Sequence, residues 1–278
     1  CLECNCHFVD MALSETVRDP ENPTKIIQEL GHGEFLKSDE FEKRGLFAFV
    51  ACGVEPGMID YFARYAENSL FDEIEGLYVR DGSNLIHPEK DFVFGFSVST
   101  TIMECLYGPH LYSSEKGIYS DSPLTHTEEF WLPGGIGMTR MSAVEHSEPL
   151  NMARHIKGIK EADFKIGYGK EFEDAMKYLK ELGLLSNKEI ELKGKKIVPV
   201  NALIDLLEVV APEPKEIGQA LIGKTCAGLW VKGKKAGMER QVYIYQVADN
   251  QDCVKKYGTP AVVAQTAVVP AIVVELVA

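Results

Sequence analysis

Residues 46–68 read LFAFVACGVEPGMIDYFARYAEN, and this stretch sets the architecture. Leu46 to Ala51 is an unbroken apolar run bounded by turn residues, the signature of a strand buried on both faces. Cys52 and Gly53 follow, then Glu55-Pro56-Gly57. Proline suits the first turn of a helix, where its missing N–H would have no partner and its φ is already helical. Gly57 permits close approach to the backbone. Met58, Ile59, Phe62, Ala63 and Ala66 then recur at helical spacing. The pattern predicts strand, tight turn and helix N-terminus, the place where open α/β sheets bind ligands. Many βα turns carry no catalytic group, so spacing alone leaves an ordinary turn equally open.

The totals narrow the classes. The 278 residues suffice for one large or two smaller domains, and 45% hydrophobic with 26% charged residues suits a soluble globular protein. A net charge of -13 repels phosphate backbones and argues against nucleic acid as a partner. The longest apolar segment, Pro260 to Ala278, is interrupted by Gln265, Thr266 and Glu275, so no membrane span is expected. Seven irregularly spaced cysteines without a signal pattern point to free thiols in a reducing, cytoplasmic setting. Cys1, Cys4, Cys6 and His7 have zinc-ligand chemistry, but no second pair stands nearby to close a site, and small buried thiols are the preferred reading, with no metal. The chain opens on Cys1 and runs almost at once into a strand-like segment, so a fragment with its N-terminus upstream is expected.

In order, residues 7–12 predict a strand ending near Asp10, and 24–30 and 35–43 predict helices, with Gly31-His32-Gly33 as a loop. Together with the central stretch, 1–68 reads as the tail of a doubly wound parallel sheet. No GxGxxG phosphate loop occurs. From Phe71 the texture changes. Ile74 to Arg80 alternates as a strand that Asp81-Gly82 turns, and 91–98 reads as another strand. Ser99-Thr100-Thr101 then caps a short helix carrying Glu104, an arrangement that suits plain capping as well as a polar ligand. A hairpin spans 111–119, with strands at 127–132 and 138–145. His146 lies between Glu145 and Glu148, and neighbouring carboxylates tune an imidazole for proton transfer. Helices are expected at 171–182 and 200–210, and a solvated hairpin at 188–196. A long antiparallel hairpin, 225–232 with 241–248, is joined by 233–240. A last helix starts at Thr259-Pro260 and runs to Val277, with a kink at Pro270. The fold class is therefore α/β, the C-terminal part of a Rossmann-type sheet followed by an α+β region of mostly antiparallel strands.

The succession HFVDMA, LFAFVACGVEPGMID, FSVSTTIMECL, TCAGLWVKG…RQVYIYQVAD and TPAVVAQTAVVPAIVVELV resembles the saccharopine dehydrogenase-like family over nearly the whole chain. The resemblance implies a remnant dinucleotide-binding domain (1–68), a substrate and dimerisation domain (69–258) and a returning helix (259–278). It implies NAD- or NADP-linked oxidoreduction of a C–N bond at an amino-acid-derived carbon, in a homodimer. Candidate substrates are saccharopine, lysine and carboxylated polyamines such as carboxynorspermidine. The alternative is a non-catalytic fragment that only dimerises. The expected catalytic carboxylates are Glu55 and Asp60. Asp10, Cys52, Gly53, Pro56 and Gly57 are expected beside the cofactor, and Ser99, Thr100, Thr101, Glu104, His146, Gln265 and Thr266 around the substrate.

Overall fold

The computed structural model describes residues 1–14, 16–19, 26–90, 93–210 and 214–278. Strand β1 (Phe8–Val9) is followed by a small antiparallel pair, β2 (Val17–Arg18) and β3 (Ile26–Gln28). Short helices α1 (His32–Phe35) and α2 (Ser38–Lys43) lead to β4 (Ala48–Phe49), which lies parallel to β1 with Phe8 opposite Ala48. Several expectations fail here. The strand at 46–51 is only two residues long and is not buried on both faces, since Phe47 is 55% exposed. Its ladder has two strands, whose outer edges no other described strand pairs, while Val9 and Phe49 pack against the main core. The helix expected at 24–30 is instead β3, because β-branched Ile26 and Ile27 favour extended backbone and β2 supplies the ladder; Thr24 lies outside the described residues. Gly31 is not mid-loop: its left-handed backbone, φ 75°, starts α1. The helix expected at 35–43 breaks at Leu36-Lys37.

Helix α3 (Met58–Tyr65) runs into one wide turn, Ala66–Leu70. Pro56 is not its first helical residue; the helix is entered from Gly57, whose φ of 130° no side chain tolerates easily. The apolar stripe reads as expected, with Met58, Ile59, Ala63 and Ala66 buried and Phe62 packed against them.

Strand β5 (Glu73–Ser83) runs straight through Asp81-Gly82, which is not a turn. Ladders on both sides hold the pair extended: Asp81 faces Ala227 on one neighbour and Ile166 on the other. No strand precedes α4 (Val98–Leu106) within the described part of 91–98; Ser97, not Ser99, caps this helix, its Oγ accepting from the Thr100 N–H at 3.2 Å. The hairpin of β6 (His110–Ser113) and β7 (Gly117–Ser120) and the strands β8 (Thr125–Leu132) and β9 (Gly137–Ala143) form where expected. Sequence reading missed α5 (Glu148–His155) and β10 (Glu161–Gly167). Helix α6 (Lys170–Glu181), the exposed hairpin β11 (Ile190–Leu192) with β12 (Lys195–Ile197), and α7 (Pro199–Val210) follow the sequence pattern. After α8 (Pro214–Ala220), β13 (Lys224–Lys235) and β14 (Met238–Asp249) form a longer hairpin than expected, turned by Ala236 and Gly237 at φ 52° and 77°. Helices α9 (Asn250–Tyr257) and α10 (Ala261–Val277) end the chain, and α10 continues through Pro270.

The main sheet has the order β14-β13-β5-β10-β6-β7, with β9 bonded to β10 and to β8. Its central pair, β5 and β10, is parallel; its other pairings are antiparallel. Alternation sends Leu77 and Val79 of β5, Ala162 and Phe164 of β10, and Leu229 and Val231 of β13 into one core. Helix α3 contributes Ile59 and Ala63, α4 Ile102, α5 Met152, and α10 Val269 and Val273. Each such side chain larger than alanine contributes about 1.5–3 kcal/mol by leaving water. A smaller cluster, Leu132, Met141 and Cys226, covers the far face. There Arg80, 2% exposed, pairs with Asp163 at 2.5 Å and with Glu128. No single helix among the described residues is long and apolar enough to cross a membrane.

Candidate active site

The turn between β4 and α3 is held by its own backbone. The Gly53 N–H donates to the Pro56 carbonyl at 2.8 Å, and the Gly53 carbonyl accepts from the Met58 N–H at 2.9 Å. A Cβ on Gly57 would collide with the Gly53 carbonyl and stand 2.7 Å from its nitrogen, so glycine is required for the loop to close. The Asp10 carbonyl accepts from the Cys52 N–H at 3.0 Å, which ties the end of β1 to the same turn. The exposed Asp10 carboxylate accepts from the Ala12 N–H at 3.0 Å. Cys52 is buried, and burial raises its thiol pKa.

This turn aims Glu55 at the core side of the main sheet. Asp81 reaches the same space from β5, because it continues the inward alternation of Leu77 and Val79. Glu55 is half-buried, its Oε2 is sealed from solvent, and no N–H or hydroxyl among the described groups donates to that oxygen. Burial first, then the charge and hydrogen bond of Asp81, then Glu148 and Glu104, push the Glu55 carboxyl well above the usual range. Asp81 is raised as well, by burial. Two carboxyls can share a hydrogen bond only when one carries a proton.

Asp60, on the first turn of α3, accepts from the Gly57 N–H at 3.2 Å. Burial and the Glu148 charge lift it to about 7, against the opposing pull of Gly57, Asn151 and His146. His146 lies between β9 and α5. Its Nδ1 is 2.9 Å from Glu148 Oε2, its Nε2 is 3.6 Å from Glu104 Oε1, and its ring stacks on Phe164 with centroids 3.6 Å apart. Burial opposes its charge, but Glu148 and Glu104 outweigh burial and hold the imidazole up to about 10. Glu148 is 0% exposed, and its Oε1 has no hydrogen-bond partner among the described groups. Tyr168, just past β10, donates to Glu104 Oε2 at 2.5 Å.

The structure thus brings together Glu55, Asp60, Glu104 and His146 from among the expected site residues. Thr100 and Thr101 stay apart from them: both hydroxyls bond Ser97, Thr100 at 3.0 Å and Thr101 at 2.8 Å. Ser99 is half-buried in the same helical turn. Gln265 is buried and accepts from the Thr225 hydroxyl at 2.5 Å, while Thr266 lays its methyl on Gly53 and donates its hydroxyl to the Val262 carbonyl at 2.8 Å. Asp81, Asn151 and Tyr168 were missed, and Glu148 was read only as a carboxylate beside His146. Asp-Gly reads locally as a turn, and the signal for Glu148 was its place two residues from His146. Of the zinc-type residues at the start, Cys1, Cys4 and Cys6 are exposed, and His7 Nδ1 accepts from the Phe47 N–H at 3.0 Å.

Among known proteins, the chain is 32% identical over 240 residues to carboxynorspermidine synthase of Vibrio alginolyticus, covering 86% of this chain and 56% of that protein. It is 28% identical to carboxynorspermidine synthase of Vibrio cholerae, with 99% of this chain and 64% of that protein covered. It is 27% identical to carboxyaminopropylagmatine dehydrogenase of Synechocystis, with 96% and 64% covered. The chain therefore spans less than two thirds of the length of these relatives. The fold matches apo saccharopine dehydrogenase (L-Glu forming) of Saccharomyces cerevisiae at a TM-score of 0.60 and 14% identity, covering 87% of this chain and 68% of that one. The saccharopine dehydrogenase C-terminal domain model matches residues 53–278, from the turn at Gly53 through α10 to Ala278, and on that match the chain belongs to the saccharopine dehydrogenase C-terminal domain family.

Proposed function

We propose that the protein is an NAD(P)-dependent oxidoreductase of a CH–NH bond whose substrate is a carboxylated polyamine, a secondary amine bearing a carboxyaminopropyl arm. One observation carries this reading: five carboxyl groups, Glu55, Asp60, Asp81, Glu104 and Glu148, meet around a single imidazole, His146. Such a site suits a cationic amine and repels an anion. The relatives support it, since two are named for carboxynorspermidine and one for carboxyaminopropylagmatine. A saccharopine substrate carries three carboxylates, and the cluster offers them one cation. For this reason the polyamine reading is preferred to the saccharopine one.

Split at its secondary amine, such a product gives a primary amine and an amino-acid semialdehyde. Their condensation releases water and leaves a C=N bond; reduction adds hydride at carbon and a proton at nitrogen. Asp10, Cys52 and Pro56 border the turn that would meet the nicotinamide end of a dinucleotide, and the spaces beside Gly53 and Gly57 are taken by the loop's own backbone and the Thr266 methyl. When bound, that cofactor supplies the hydride. No GxGxxG occurs in the sequence to hold its phosphates. The chain's own groups orient the amine: Glu55 and Asp81 from one side, Glu148 and Asp60 from the other. His146 stays charged and limits the mutual repulsion of Glu104 and Glu148. Asp60, titrating near 7, is suited to pass a proton at neutral pH. The division at residues 68 and 258, a homodimer and a cytoplasmic location belong to the same reading.

The test is NAD(P)H consumption by the full-length protein, followed by absorbance. Aspartate semialdehyde with 1,3-diaminopropane or agmatine should support turnover, and aminoadipate semialdehyde with glutamate should not. Turnover with the aminoadipate semialdehyde pair alone, or with neither, would show the reading to be wrong.

A further inference from the structure

We propose that Tyr168 is a positioning residue of the site: its hydroxyl holds the Glu104 carboxylate against His146, and His146 in turn holds the buried Glu148. The inference rests on the oxidoreductase reading above and adds a residue that keeps its site in place.

The contacts form one line. The Tyr168 hydroxyl donates to Glu104 Oε2 at 2.5 Å. The other oxygen, Oε1, stands 3.6 Å from His146 Nε2, and His146 Nδ1 stands 2.9 Å from Glu148 Oε2. The main chain follows the same route, since the Glu145 N–H donates to the Glu104 carbonyl at 3.2 Å. Separate elements supply the members: α4 carries Glu104, α5 starts at Glu148 with His146 just before it, and Tyr168 follows β10.

The hydroxyl matters because the links of the line are unequal. At 2.9 Å His146 and Glu148 are within hydrogen-bond distance, while at 3.6 Å His146 and Glu104 attract as charges without a directed bond. The Glu148 side chain is 0% exposed, whereas that of Glu104 is 24% exposed. A part-exposed carboxylate held by attraction alone at that distance turns readily into water. Tyr168 supplies the directed bond that the imidazole does not. Its ring is itself fixed, packed on Phe172 with centroids 4.8 Å apart and set against the core. Phe164, on β10, lies flat against the His146 ring at 3.6 Å. One strand and the residue after it thus brace both the imidazole and the carboxylate beyond it.

The groups facing His146 come from several elements. Glu104 of α4 and Glu148 of α5 stand at its nitrogens, and Asp60 of α3 and Asp81 of β5 are negative groups that its charge draws down. Burial first, then the Glu104 charge, push the Tyr168 phenol well above its ordinary range, so it stays a donor. Freed of Tyr168, Glu104 leaves the imidazole with Glu148 alone at its nitrogens. The imidazole proton is then held less firmly, and Glu148 loses part of what orients it toward the amine.

The experiment is Tyr168→Phe, which removes the hydroxyl and keeps the ring. In the full-length protein without substrate, nitrogen NMR of the His146 imidazole should show its titration displaced toward neutrality. With NAD(P)H, aspartate semialdehyde and 1,3-diaminopropane, kcat should fall about 10- to 100-fold with the KM for NAD(P)H unchanged. Glu104→Gln should reproduce both effects. The double variant should be no worse than Glu104→Gln alone, because the hydroxyl acts through that carboxylate. An unmoved His146 titration in folded Tyr168→Phe would overturn the proposal, as would losses that add in the double variant. Should Tyr168→Phe fail to fold, Glu104→Gln decides: the labelled Cζ of Tyr168 and the His146 nitrogens should both shift, and either signal left in place overturns the proposal. These titrations need no substrate, so they hold or fail apart from the turnover assay that tests the catalytic reading.

Discussion

His146 lies flat on Phe164, with planes 1° from parallel, while Glu148 sits 2.9 Å from its Nδ1. A fully buried carboxylate is thus fixed to an imidazole that has its own position fixed by a β10 side chain. His146→Gln removes the cation and leaves Glu148 and Glu104 facing each other. The expected loss is about 3–5 kcal/mol of stability, read by chemical denaturation at pH 7. The pH dependence has a definite sign. The folded pKa of about 10 lies above the ordinary 6.5, so the His146 contribution is complete below pH 6.5 and fades as pH rises toward 10. The wild type should lose stability across that window, and the variant should show a flatter profile.

Asp60 behaves oppositely to an ordinary surface acid. Its pKa is raised from 3.8 to about 7, so its protonated form is favoured by folding, and that contribution fades as pH rises from 3.8 through 7. Asp60→Asn retains an oxygen to accept the Gly57 N–H. It should melt a few degrees higher than wild type at pH 8.5, with little difference at pH 4. In the turnover assay it should lose the activity limb near pH 7. A melting temperature at pH 8.5 equal to or below wild type would contradict the raised pKa.

Gly57 has φ 130° and no room for a Cβ. Gly57→Ala should cost about 2–4 kcal/mol and displace Glu55, with turnover falling together with stability. Preserved turnover at wild-type thermal stability would show that the loop adapts.

Thr225 and Gln265 join β13 to α10 through a 2.5 Å hydrogen bond. Thr225→Val removes the donor and strands a buried amide whose Nε2 already lacks a partner. A loss of about 1–3 kcal/mol is expected, with faster hydrogen exchange confined first to α10. Uniform exchange across the chain would instead indicate that α10 is no separate unit.

Local pattern revealed the helices with one clear apolar stripe and the hairpins with strong alternation. Residues 58–66 and 225–248 were legible because their neighbours in sequence are also their structural context. Asp81-Gly82 misled for the opposite reason. An aspartate before a glycine favours a turn, but β13 and β10 bond to both edges of β5 and keep it extended. The carboxyl pair inherited that error, since a residue placed in a turn is not expected inside a core. Glu55 and Asp60 were found because one turn carries both. His146 and Glu148 were paired by their spacing in sequence, but only the fold shows that Glu104, from α4, meets them. The strand at 161–167 mixes charged and apolar residues because its far face carries the Asp163 and Lys165 ion network.

The methyl of Thr266 against Gly53 has a consequence for biosynthesis. A ribosome releases the threonine long after the glycine, so the nascent polypeptide must wait for α10 before that contact can form. Any molecule cut short before residue 266 would leave Gly53 uncovered, however well its central sheet had already assembled.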